Sequence, residues 1–188
     1  RNIGGISKLS SERLLEEFKK LTKSDGFIKL FQDKESLELI EIIFPQLKNL
    51  QSFQKLNAYA QKNLSKIDFI LLISLLIIDE TDNTDYFLYK FKISNKDQKR
   101  IKFIDNFYKQ KVNINYFTEK NFKKMFYING RQAVTDIISF KLFISKKIEK
   151  KLVILFDFYN SKNTHTLLVA ANILMSKYNI PVGKVLLL

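Results

Sequence analysis

The chain has 188 residues, 46% of them hydrophobic, no cysteine, a single histidine and a formal net charge of +13. That length supports one or two compact units with a real core, and the absence of cysteine excludes disulfide frameworks, thiolate catalysis and Cys-based zinc sites. His165 alone supplies neither a His-rich metal site nor a conventional serine-histidine-aspartate arrangement.

Residues 2–8, with Gly4 and Gly5 adjacent, read as a loop leading into the best-specified helix, LSSERLLEEFKKL at 9–21. Ser10 suits the N-cap, Glu12 sits in the first turn against the positive end of the dipole, and Leu9 and Leu14 are placed for a hydrophobic staple. Leu14, Phe18 and Leu21 recur at i, i+4 and i+7 as an apolar stripe, while Arg13 faces Glu16 and Glu17. A second short helix begins with Phe27, Ile28, Leu30 and Phe31, and a third is expected over 37–44, stopped by Pro45. Residues 50–63 carry Phe53, Leu56, Tyr59 and Ala60 at helical spacing, and 67–78 are apolar all round, as in a central core helix. The acidic stretch 79–85 reads as a loop and a place for a weak internal boundary.

Ser94 and Asp97 make a capping-box-like start for a helix to about Lys109, with Ile101, Ile104, Phe107 and Tyr108 inward and Lys96, Lys99 and Arg100 on the opposite side. Residues 111–116 are ambiguous. Thr118 then caps a helix through Phe122, Met125 and Phe126, ended by Gly130. The next helix turns Val134, Ile137, Ile138 and Leu142 inward and trails Lys146, Lys147, Lys150 and Lys151. Residues 153–159 are strand-like in composition but read as helix from their neighbours; a helix is expected over 167–178, and Pro181 and Gly183 introduce a last one. The expectation is an all-α chain of about nine or ten short helices, divided as 1–48, 49–112 and 113–188.

The charge is uneven: residues 1–95 hold 14 Lys or Arg against 13 Asp or Glu, and residues 96–188 hold 18 against 6. A clustered positive field attracts a polyanion, either nucleic acid or an anionic membrane surface. No signal peptide or membrane span is visible, since the longest apolar run, 69–78, is about half the ~20 residues a spanning helix needs. No GxGxxG, phosphate-cradling GKS/T loop or nucleophile elbow appears, and paired acids such as Glu16 and Glu17 or Asp79 and Glu80 have nothing converging on them. The residues by themselves describe a basic helical binding module without a catalytic centre. Arg1 and the apolar end at 185–188 read as the edges of a piece cut from a longer protein.

Five stretches in order go further: ISKLSSERLLEEFKKL at 6–21, IIFPQL at 42–47, KISNKDQKRI at 92–101, FYINGRQAV at 126–134 and ILMSKYNIPVGKVL at 173–186. With these the chain resembles the C-terminal, non-catalytic portion of bacterial class II tRNA nucleotidyltransferases (CCA-adding enzymes) and of the similar bacterial poly(A) polymerases. The resemblance implies a partial neck at 1–48, a helical body at 49–112 and a tail at 113–188 that together hold the tRNA acceptor arm and elbow. It also implies an N-terminal catalytic head, absent here, that binds Mg²⁺ and adds nucleotides from CTP and ATP, a cytoplasmic location, and a transferase whose catalytic carboxylates match nothing in this chain. Catalytic residues, metal ligands and cofactors are therefore expected to be none within these residues, and the piece should be inactive alone.

By the same resemblance Ser10, Glu12, Arg13 and Glu16 belong to the last neck motif and brace the turn beside the nucleotide pocket. Where related chains show Gly and Asp before the tail's Leu-Met, this one has Ala171 and Ile173; Gly183 and Lys184 do match and are the preferred tail contact with RNA. Lys96, Lys99, Arg100, Lys120, Lys123, Lys124, Arg131, Lys146, Lys147, Lys150 and Lys151 are the candidate phosphate contacts, with Arg100 and Arg131 favoured for the planar guanidinium fork. No aromatic platform for single strands is apparent, which points to recognition by shape and backbone. The alternatives are the same region of a poly(A) polymerase, or a non-enzymatic basic scaffold for a protein or an anionic membrane.

Overall fold

The computed structural model describes residues 9–24, 26–146, 150 and 152–154. Every regular element among them is helical, so the fold is all-α. The helices are α1 (Ser11–Leu21), α2 (Phe27–Leu30), α3 (Lys34–Ile43), α4 (Ala58–Asn63), α5 (Phe69–Ile77), α6 (Asn83–Lys90), α7 (Asn95–Lys109) and α8 (Glu119–Ile144). Residues 150 and 152–154 are also helical. The helices expected over 167–178 and from Pro181, with His165 between 159 and 167, lie outside the described residues.

Short polar side chains start most of these helices by accepting from an otherwise orphaned amide. Ser10 Oγ accepts from Arg13 N at 3.3 Å, Asp33 Oδ2 from Ser36 N at 2.9 Å, Asp68 Oδ1 from Leu71 N at 2.9 Å and Thr118 Oγ1 from Asn121 N at 3.3 Å. Asp33 explains why α3 begins three residues before the expected Leu37. Asn57 explains why 50–63 is not one helix. Its Oδ1 accepts from Ala60 N at 2.9 Å and launches α4 afresh, so a 3₁₀ turn (Leu50–Lys55) and an extended Leu56 precede it. Ser94 accepts from Asp97 N at 3.2 Å and donates to the Asp97 carboxylate at 2.8 Å, which bears out the start expected for α7.

Two further expectations need correction. On α1 the buried pair is Leu15 and Phe18, with Leu14 half-buried, whereas Leu21 is exposed in the last turn. The loop assigned to 79–85 ends early: α6 starts at Asn83, an element with no counterpart in the sequence reading because its N-cap, Asp82, makes no side-chain bond to the helix.

α5 lies at the centre, with every residue from 71 to 78 buried. A helix end with no water access must find partners for its last carbonyls. Asn49 Nδ2 donates to Leu75 O and Ile78 O, Asn49 N to Leu76 O, and Asn83 Nδ2 to Ile77 O and to Gln46 O. The segment after α3 and the first residue of α6 are thereby tied to one helix terminus. Around α5 runs a series of rings: Phe27 to Phe31 (4.8 Å), Phe31 to Phe53 (4.8 Å), Phe18 to Phe44 (5.0 Å), Phe44 to Phe91 (5.7 Å) and Phe91 to Phe87 (4.6 Å). One core therefore joins α1, α2 and α3 to α5, α6 and α7.

A second cluster holds Phe107 at the end of α7 with Phe117, Phe122, Met125, Val134, Ile137, Ile138, Leu142 and Leu152. Gly130, at φ 77 and ψ 170, interrupts α8 where the sequence places a helix end. Such angles are open essentially to glycine alone. Before the kink, α8 leaves from Phe117, which packs on Phe107 at 5.9 Å. After it, α8 meets α7 at Arg100 with Asp136, then Tyr108 with Phe140, then Lys141 Nζ with Val112 O, and so runs alongside α7 in the same direction.

Candidate functional site

The neck-motif residues sit together on α1 without forming a pocket. Ser10 serves as the cap, Glu16 meets Lys19 at 3.6 Å, and Arg13 is exposed beside Glu17. Glu12 reaches out of the helix to Lys92 Nζ at 2.7 Å, in the turn between α6 and α7. The hydrogen bond and charge of Glu12 push the Lys92 ammonium pKa up.

Of the phosphate candidates, Lys96, Lys99, Lys120, Lys124, Lys146 and Lys150 are exposed, and Lys123 and Arg131 are half-buried on α8. Lys147, Lys151, Gly183 and Lys184 lie outside the described residues. Arg100 does not share the solvent face with Lys96 and Lys99. Its Nε and Nη2 donate to the two oxygens of Asp136 at 2.5 and 2.7 Å, and its Nη1 lies 2.7 Å from Asp68 Oδ2. The Asp136 side chain is only 3% exposed and also accepts from Gln132 Nε2 at 2.9 Å. Burial works against the Arg100 charge, but the bonds and charges of Asp136 and Asp68 outweigh it and keep the guanidinium protonated above its ordinary range. Burial pushes the Asp136 carboxyl up from 3.8, with the Arg100 and Gln132 bonds opposing it. The planar fork that recommended Arg100 for phosphate is spent on two carboxylates.

This clamp lines a groove of about 580 Å³ walled by α4, α5, α7 and α8, with Lys62 and Lys66 exposed among its lining residues. A second groove, of about 630 Å³, lies between α6 and the start of α7, lined by Tyr86, Leu88, Tyr89, Lys90, Lys92, Ile93 and Gln98. Tyr86 is 54% and Tyr89 85% exposed. These two exposed rings stand beside the expectation of no aromatic platform, which no observation tests. A signal was present: Tyr86 and Tyr89 stand three apart, and residues 86–102 hold six Lys or Arg against one acid, Asp97.

Among the described residues no group of three His, Cys, Asp or Glu converges as metal ligands. No helix among them is long and apolar enough to cross a membrane.

Residues 1–51 match the family model described as "Probable RNA and SrmB- binding site of polymerase A". This segment is similar to an RNA-binding region of the poly(A) polymerase type. The matched segment covers α1, α2 and α3 and ends in the 3₁₀ turn packed under α5, so it is part of the larger core. No curated protein and no solved structure matches the chain.

Proposed function

We propose that the chain is the RNA-holding helical region of a nucleotidyltransferase that extends RNA 3′ ends, and that its RNA is tRNA, gripped as by the neck, body and tail of a class II CCA-adding enzyme. The match of residues 1–51 carries the RNA part of this reading. The exposed lysines of α7 and α8, in a half of the chain with 18 basic residues against 6 acidic ones, support it, because phosphate contacts dominate affinity for nucleic acid. The order of stretches from 6–21 to 173–186 supports tRNA as the substrate. Nucleotide addition, with its Mg²⁺, CTP and ATP, belongs in this proposal to a head domain that is not among these residues. The description of the matched family favours a second reading, the same region of a poly(A) polymerase.

Fluorescence anisotropy with labelled tRNA and with oligoadenylate over a salt series tests both. Binding should weaken steeply with salt, with a log-log slope of several units when several phosphates are engaged. Tighter binding of tRNA supports the CCA-adding reading, tighter binding of oligoadenylate the poly(A) reading, and binding that is absent or indifferent to salt removes both.

A further inference from the structure

We propose that the groove between α6 and α7 is a binding site for single-stranded RNA, in which Tyr86 and Tyr89 stack on bases while Lys90 holds a flanking phosphate. It rests on the RNA-binding reading and adds a site that reading does not contain.

Tyr86 and Tyr89 stand on one side of α6, since residues three apart are surface neighbours. Their rings lie mostly outside the core, over a floor made by Leu88 and Ile93. Each base offers a π-face to such a ring, so stacking tolerates any sequence. Lys90 is in the groove wall, with its ammonium 5.4 Å from the centre of the Phe91 ring, and makes no ion pair among the described residues. Arg100, Lys92 and Lys102 of this basic stretch are paired with carboxylates, so the cation the groove offers a phosphate is Lys90.

The backbone adds an independent observation. α6 ends in a Schellman motif: Ile93 N donates to Leu88 O and Lys92 N to Tyr89 O, both at 3.4 Å, with Lys92 left-handed at φ 47. Glycine is the usual residue at that position because it carries no Cβ penalty. Here a lysine holds it, and its ammonium joins the groove wall to Glu12 on α1, inside the segment matched to an RNA-binding family. The strained residue thus connects the two surfaces.

The test uses the whole chain, a labelled single-stranded octanucleotide and a folded tRNA, with Tyr86→Ala/Tyr89→Ala and Tyr86→Phe/Tyr89→Phe double variants. The alanine pair should lose tenfold or more in octanucleotide affinity. The phenylalanine pair should stay within about twofold of wild type, because the ring faces are kept. Urea midpoints of both should match wild type, since the side chains are exposed. An alanine pair that binds the octanucleotide as wild type does overturns the site while leaving RNA binding intact. A phenylalanine pair as weak as the alanine pair also overturns it, since the hydroxyls rather than the rings would then make the contact. Failure of wild type to bind either RNA overturns the RNA reading itself, and a groove that captures acidic peptide in preference to RNA assigns it to a protein partner.

Discussion

Arg100 and the lysines around Tyr89 belong to one basic stretch of sequence, yet the two sides of α7 treat positive charge in opposite ways. On the side facing α5 and α8, the guanidinium is enclosed by Asp68, Asp136 and, through Asp136, Gln132. On the side facing α6, Lys90 of α6 stays without a carboxylate partner and two tyrosines stand out of the core. The first arrangement fixes helices against one another. The second leaves charge and aromatic surface available.

Removing Arg100 should give the largest effect. With Arg100→Ala the nearly buried Asp136 carboxylate loses its counterion, and breaking such a pair should cost about 3–5 kcal/mol, read as a lower urea midpoint. The loss should depend on pH. Burial already raises the Asp136 carboxyl above 3.8, and deleting the opposing cation raises it further. A carboxyl whose folded pKa is raised contributes its stability fully below its unfolded pKa, and that contribution is lost as pH rises through the folded pKa. The deficit of the variant should therefore be smaller near pH 4 than at pH 7, and an equal deficit at both would contradict this account of the clamp. Single-stranded RNA binding by the folded variant should be unchanged.

Gly130 is the intermediate case, because the kink sets the course along which Gln132, Thr135, Asp136 and Ser139 reach the polar groove. A Cβ at this position would meet nothing within 4 Å, so Gly130→Ala is penalised by its backbone angles and not by crowding. The expected loss is about 1–3 kcal/mol in chemical denaturation. The tyrosine groove lies on the other side of α7 and should keep its affinity; equal damage to both grooves would show that they are not separable.

Much of this was legible where one side chain acts on its own turn. Ser10, Ser94 and Thr118 announce their helices, and Gly130 announces a break. Asn57 was hidden in a run of helically spaced apolar residues, although the same side chain also donates to Leu142 O and Ser145 O at the end of α8, at 2.8 Å each. Arg100 was placed wrongly because helical spacing puts it near Lys96 and Lys99, while its partners lie 32 and 36 residues away on other elements. Tyr86 and Tyr89 went unread for a related reason: without α6, nothing set them on one face. Local capping chemistry is written in neighbouring residues, but the burial of a charge is decided by elements distant in sequence.

Lys92 should give the smallest change in stability and the clearest separation of stability from binding. Lys92→Gly relieves the left-handed backbone, a gain of about 0.5–1 kcal/mol after glycine's own entropy. It removes the exposed pair with Glu12, which is worth at most about 1 kcal/mol. The two nearly cancel, so the urea midpoint should barely move. Octanucleotide affinity should nevertheless fall two- to threefold as the groove loses a cation and its tether to α1, with Lys92→Gln falling as far and losing stability as well. A glycine variant that is more stable and binds as wild type does would mean that the lysine holds its strained position only for Glu12, and the contrast between the two sides of α7 would then rest on Tyr86 and Tyr89 alone.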